Sequence, residues 1–169
     1  LAAGALERRI AFGDNDRPGV MTVNAGRTYL NRFAIQAGEK IVIATNNDSA
    51  YTAASDLACS GANVTMLDSR REIPSSLRSH CDTAGIVIKR DTAPMKALGG
   101  KAVSGLKTAI RQGNSWRAQG NIDCDLVLVS GGWSPVVNLL SHRGIKPVWH
   151  PELACFLAPA SEEPILSAG

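Results

Sequence analysis

What this sequence lacks narrows its chemistry before anything it contains. Its four cysteines, Cys59, Cys81, Cys124 and Cys155, form no C-x-x-C pair, so neither a redox dithiol nor a zinc knuckle is indicated. His80, His142 and His150 stand at no metal-ligand spacing. A G-x-x-x-x-G-K-[ST] loop is absent, which leaves P-loop phosphoryl transfer unsupported. Ser49 lies in no nucleophile elbow, and no acid–base pair or activated nucleophile can be assembled. No catalytic residue and no metal site are therefore expected. No apolar run approaches the ~20 residues that a membrane-crossing helix needs. Basic residues come as pairs, Arg8-Arg9, Arg70-Arg71 and Lys89-Arg90, and the net charge is only +3. A nucleic-acid surface would need denser clustering.

What is present is an ordinary globular balance, 44% hydrophobic and 20% charged over 169 residues, enough for one domain with extensions. Lys40-Ile41-Val42-Ile43-Ala44 reads as a buried strand, residues 48–60 as the next helix, and Asn63-Val64-Thr65-Met66-Leu67-Asp68 as a strand ending on a carboxylate. That is the outline of a Rossmann-type βαβ unit, with an acid placed for a ribose hydroxyl. Its turn, however, is Thr45-Asn46-Asn47-Asp48-Ser49-Ala50, where the fingerprint requires G-x-G-x-x-G/A. Those glycines make the turn tight, admit the pyrophosphate backbone and let helix and strand pack closely. Ala50 suits the third place. Thr45 and Asn47 add side chains where phosphate would lie, and Asp48 adds a negative charge at the helix's positive pole. The expectation is a capped helix start in a degenerate nucleotide fold, against a retained NAD(P) or ADP site.

Around this unit, 7–20 reads as irregular, with turn formers through Gly13-Asp14-Asn15-Asp16-Arg17-Pro18-Gly19. A helix is expected from about Val23 to Gln36, with Val23, Tyr29, Leu30, Phe33 and Ala34 on one face and Ala37-Gly38 as its C-cap. After Asp68, a helix over 75–83 and a strand at Ile86-Val87-Ile88 continue the alternation, which implies a parallel sheet with right-handed crossovers. Glycine turns at short intervals then give three strands, at 95–98, 102–111 and 115–121, a β-meander. Asp125-Leu126-Val127-Leu128-Val129 is a final buried strand, broken at Ser130-Gly131-Gly132. Cys59 and Cys124, in apolar patterns, read as buried free thiols. Trp116, Trp133 and Trp149 suit an interface or packing. The fold class is thus α/β: a Rossmann-like parallel sheet with crossover helices plus a three-stranded β-meander, the order of the NAD(P)-binding domain in two-dinucleotide-domain flavoproteins.

Local matches make the resemblance specific. Leu1-Ala2-Ala3-Gly4-Ala5-Leu6-Glu7-Arg8 resembles the end of the flavoprotein ATGA strand, with Ala3 where threonine is usual. Gly13-Asp14-Asn15-Asp16-Arg17-Pro18-Gly19-Val20-Met21 resembles the DNDRPGVM segment of the α subunits of heterotetrameric sarcosine oxidase. Val129-Ser130-Gly131-Gly132-Trp133-Ser134-Pro135 and the 45–51 turn resemble that family's versions of the corresponding turns. The resemblance runs from Leu1 to about Ala158, and opine, cyanide-producing and proline-oxidising dehydrogenase subunits share much of it.

The resemblance implies an inserted domain. Residues 1–21 would connect from a missing half-domain of FAD/NAD type, 22–135 would form the inserted domain with its meander at about 95–121, and 136–169 would return toward that half-domain and end in a loose tail. It implies NAD in the parent, mainly on the missing half, with FAD or FMN on partner subunits. Partners would be other subunits of a hetero-oligomeric amine oxidoreductase, with neither nucleic acid nor membrane. The opening Leu1-Ala2-Ala3-Gly4-Ala5 carries no initiator methionine and no targeting signal, so an excised piece of a cytoplasmic parent is expected. Residues placed to border a cofactor are Thr45, Asn46, Asn47, Asp48, Ser49, Ala50, Asp68, Arg70, Ser130, Gly131 and Gly132. Arg70 and Arg71 suit either a ribose 2′-phosphate or solvent and a partner surface. The role expected is that of a structural inserted domain, the alternatives being a working NAD(P)H-binding domain of an FAD-dependent reductase and an interaction module on a nucleotide fold.

Overall fold

The computed structural model describes residues 2–142 and 144–159. In chain order the elements are β1 (Ala5–Glu7), β2 (Val20–Thr22), α1 (Val23–Phe33), β3 (Lys40–Thr45), α2 (Ser49–Cys59), β4 (Asn63–Asp68), α3 (Ser75–Thr83), β5 (Val87–Arg90), β6 (Thr92–Gly99), β7 (Val103–Gln112), β8 (Ser115–Asp123), β9 (Leu126–Ser130), β10 (Trp133–Pro135), α4 (Asn138–Ser141), β11 (Val148–His150) and β12 (Cys155–Leu157). The described residues divide into two compact units: Arg9–Gly132, and 2–8 together with 133–142 and 144–159.

The larger unit is built on a five-stranded parallel sheet in the order β2-β9-β3-β4-β5. Residues 41–45 of β3 and all of β9 are buried. Burial on both faces is why these strands read as unbroken apolar runs rather than alternating ones. Side chains still alternate between faces, as strand geometry demands. Ile41, Ile43, Met66 and Leu128 join Ala53, Ala54 and Leu57 of α2 in one core. Val42, Ala44, Leu67, Val127 and Val129 join Ala97, Val103 and Leu106 of the meander in another. The sheet is therefore sandwiched between helices and the antiparallel β6-β7-β8 sheet. The fold class expected from sequence is the one observed. β6 is an edge strand of its sheet with a register shift between Pro94 and Lys96, which is where a proline is tolerated.

Several local expectations are corrected. The turn-rich segment does not remain irregular up to α1: Val20–Thr22 forms β2, pairing Val20 with Val127, too short to show a period. Helix α1 ends at Phe33, not Gln36. Ala34 takes the left-handed conformation (φ 54°), and its amide bonds back to Leu30. Gly38 is not the cap. A Cβ there would lie 2.6 Å from Leu126 Cβ, so glycine is needed for close approach. The buried stripe of α1 is Val23 and Gly26 with Leu30 packed beside them, because Gly26 sits over the Leu128 side chain. Tyr29 and Phe33 are exposed. The meander strands run longer than expected, since β6 begins at Thr92 and β8 reaches Asp123. Cys59 is exposed at the end of α2, whereas Cys81, Cys124 and Cys155 are buried. No helix among the described residues is long and apolar enough to cross a membrane.

The described residues of the smaller unit form two antiparallel pairs. β1 pairs with β10, placing Glu7 opposite Trp133. The strand starts after Gly4 (φ +74°) rather than ending in it. β11 pairs with β12, and the Trp149 and Phe156 rings meet edge-on at 5.2 Å. Arg8 donates to the carbonyls of Leu153 and Ala154. The tail expected to be loose lies, beyond Pro159, outside the described residues.

Two measurements test this packing. Burial pushes the Cys124 thiol up to about 12 and raises that of Cys81 as well, while Cys59 faces solvent. Native thiol titration at pH 8 is expected to show one fast-reacting group, lost in Cys59→Ser; a second fast thiol would contradict the buried placements. Arg27 Nε lies 2.6 Å from Asp56 and ties α1 to α2. Burial works to raise the Asp56 carboxyl, but hydrogen bonds from Arg27 and Asn31 outweigh it and hold the group below its ordinary value. Its contribution is present above the unfolded aspartate pKa of about 4 and is lost as pH falls through the lower folded value. Urea melts between pH 6 and 2 are expected to show a shallower acid decline for Asp56→Asn, and an identical slope would remove Asp56 from the account.

Candidate functional site

The parallel strands deliver their last residues to one edge. Thr45 lies in register between Asp68 and Ser130, with β4 and β5 to one side and β9 and β2 to the other. The chain's course through the sheet reverses at β3/β9, and open α/β sheets place ligands at such a crevice beyond the carboxyl ends of the strands. The residues expected from the turn and the two strand ends are brought together here.

The crevice is bridged by side chains. Asn47 Nδ2 donates to the Ser130 carbonyl and hydroxyl, both at 3.1 Å. Its Oδ1 accepts from the Ser49 amide at 3.2 Å and the Ser49 hydroxyl at 2.6 Å. Thr45 Oγ1, buried, turns back on the Asn47 backbone. The start of α2 is thus tied by Asn47. Asp48 occupies the N-cap position but makes no side-chain cap bond. Its carboxylate instead accepts from Arg70 Nη1 at 2.7 Å. Ala50 is buried against the sheet. Asn46 is exposed, Gly131 half-buried and Gly132 buried with φ 95°.

Asp68 is wholly buried. It accepts from the Arg70 amide at 2.9 Å, from Arg70 Nε at 3.0 Å, from Arg70 Nη2 at 2.8 Å and from the Tyr51 hydroxyl at 2.8 Å. Arg70 therefore spans two carboxylates and is no solvated surface residue. Its guanidinium is held still more firmly protonated by the bond to Asp68. The Tyr51 hydroxyl is pushed above its ordinary range, first by burial and then by its bond to Asp68. Arg71 is exposed and reaches Asp91 at 3.7 Å.

Tyr51 was not legible as part of this site, because it looks like one more apolar residue on the α2 face. A second group was also missed. Arg111 and Trp116 face each other across the β7–β8 pair, with the guanidinium 4.4 Å from the ring centroid. They stand beside a cleft of about 450 Å3 whose walls include Thr45, Asn46, Ser69, Pro94 and Trp116. No group of three or more potential metal ligands occurs among the described residues.

By fold, the chain is of the class that a thioredoxin reductase represents. It superposes on that of T. acidophilum with a TM-score of 0.67 over 85% of this chain and 46% of the other, at 18% identity. No protein-family model matches. By sequence, it is homologous to one segment of sarcosine oxidase alpha subunits. It is 41% identical to that of Rhizobium meliloti (strain 1021) over the whole of this chain, and 38% identical over 93% of it to that of Corynebacterium sp. (strain U-96). The chain spans 16% of the length of each of these relatives.

The Arg70 clamp can be tested by coupling. Removing one partner of a buried ion pair costs about 3–5 kcal/mol, because the other charge is stranded. Arg70→Leu is expected to lose stability on that scale in urea denaturation. Adding Asp68→Asn should recover part of it, and additive losses would show that the two residues do not act as a unit.

Proposed function

We propose that this chain is an inserted, nucleotide-fold domain of an oxidoreductase α subunit similar to that of sarcosine oxidase, and that its role there is architectural. The observation that carries the reading is Arg70, fixed between Asp48 and Asp68 across the mouth of the turn. A pyrophosphate needs bare backbone amides and the positive pole of the helix. Here Thr45 and Asn47 fill that approach with side chains, and the Asp48 carboxylate stands at that pole. Asp68, suited by position to a ribose hydroxyl, has its oxygens engaged by Tyr51 and Arg70. These residues do not fit a bound dinucleotide.

In this reading NAD belongs mainly to a part of the parent outside this chain, with Ser130, Gly131 and Gly132 bordering it, and FAD or FMN belongs to partner subunits. Residues 1–21 and 136–169 lead to and from that part, and 22–135 form the insert. The parent is a cytoplasmic hetero-oligomeric enzyme acting on a secondary or N-methyl amino acid, and the chain alone is catalytically inactive. A second reading, a working NAD(P)H domain, is favoured by the strand order and by Asp68 at the end of β4.

Thermal-shift titration separates the two. A ligand that binds only the folded state raises stability with concentration. NAD+, NADH, NADPH and ADP to millimolar levels are expected to raise the melting temperature no more than phosphate-free adenosine does. A saturable excess shift from any of the four would overturn the architectural reading and make the turn a nucleotide site.

A further inference from the structure

The cleft beside Trp116 lies outside the clamp formed by Asn47, Asp48, Arg70 and Asp68. We infer that it binds an uncharged, flat heteroaromatic ring, stacked on Trp116 and hydrogen-bonded at its edge by Asn46 and Ser69. Its volume, about 450 Å3, is in the range of small-molecule pockets, roughly 300–1,000 Å3. Its walls come from the carboxyl ends of β3 and β4, from the meander and from residues 10–12. That combination, apolar walls with a few polar groups at the sheet's carboxyl edge, is the usual composition of a ligand pocket.

The lining selects the ligand. None of the residues that form the cleft is acidic or basic, so nothing there neutralises a phosphate or a carboxylate. Charged ligands lose their hydration on entry without compensation. Trp116 is 43% exposed, and Arg111, which covers one face of its ring, is not part of the lining. Trp116 itself lines the cleft. The ring is held before any ligand arrives, since Arg111 donates to the Ser69 carbonyl at 2.9 Å and lies 3.3 Å from Asp91. Asn46 Oδ1 accepts from Asn47, whereas the Asn46 amide nitrogen and the Ser69 hydroxyl have no partner among the described residues. They supply a donor and a donor–acceptor for the edge of a ring.

A peptide fits less well. The edge of β6 beside the cleft is already taken by Gly13, whose amide bonds to Met95 and whose carbonyl accepts from Ala97. An added strand would find no ladder there.

The test uses the 169-residue chain with three uncharged probes, adenosine, nicotinamide and riboflavin, titrated by calorimetry and ligand-observed NMR. At least one is expected to bind saturably. Trp116→Ala should weaken that probe by about tenfold or more, the scale of a lost base–aromatic stack, while Trp116→Phe keeps most of the affinity. Ala93→Leu, which adds bulk to the cleft wall from an edge strand, should also weaken it. Both substituted residues are partly exposed, and circular dichroism checks that the variants fold. Failure of all three probes at millimolar concentration, or unchanged binding in Trp116→Ala, would overturn the inference. Because no probe carries a phosphate, the result does not depend on whether the 45–50 turn is closed.

Discussion

Everything in the larger unit depends on burying both faces of β3 and β9. A parallel pair with helices on one side and a meander on the other leaves no solvated face for polar residues. Polar side chains are thereby driven to the strand ends. Thr45, Asp68 and Ser130 are buried there, and each must find hydrogen bonds within the protein. The Asn47 bridge and the Arg70 clamp are the outcome. Residues that would face a ligand in a glycine-rich turn serve here to satisfy one another.

That arrangement also explains why the scaffold and its turn tell different stories. The strand order and the Rossmann-like layers survive because the hydrophobic cores on the two sheet faces need them. In the turn, Ala50 shares that packing duty, whereas Asn47 and Asp48 join neither core. With side chains rather than glycines there, Asn47 bonds across the crevice to Ser130, and the Asp48 carboxylate at the helix start pairs with Arg70. Asn47 and Asp48 thus each add bonds to the fold, to Ser130 and to Arg70.

Much of the fold was legible in the sequence, and the reasons are local. β3, β4 and β9 are continuous apolar runs, and α2 is a stripe of alanines with Leu57. α3 was expected at its observed bounds, residues 75–83. The meander was marked by its glycine turns, but its ends were blurred because β8 is almost wholly exposed and shows no alternation. β2 was invisible, since three residues carry no period. The end of α1 was misplaced because Ala34, not a glycine, adopts the left-handed cap, and Gly38 serves a close approach that only the tertiary structure reveals. At the site, the turn residues were found by position, but their bonding was not. The pairing of Asp68 with Tyr51, and of Arg111 with Trp116, joins residues through register and a helix face that no motif encodes.

The order in which this chain meets itself has a kinetic side. Asn47 and Ser130 are 83 positions apart, and the β3–β9 pairing beneath them requires the whole meander to be traversed first. Loop-closure entropy has to be met before such non-local contacts give anything back, which makes parallel sheets slow to form. On a ribosome, β3 and β4 emerge long before β9 and wait with an apolar edge uncovered, the condition under which chains aggregate. The local β6–β7–β8 hairpins have no such delay. The parallel sheet of the larger unit therefore closes only after its meander has been made.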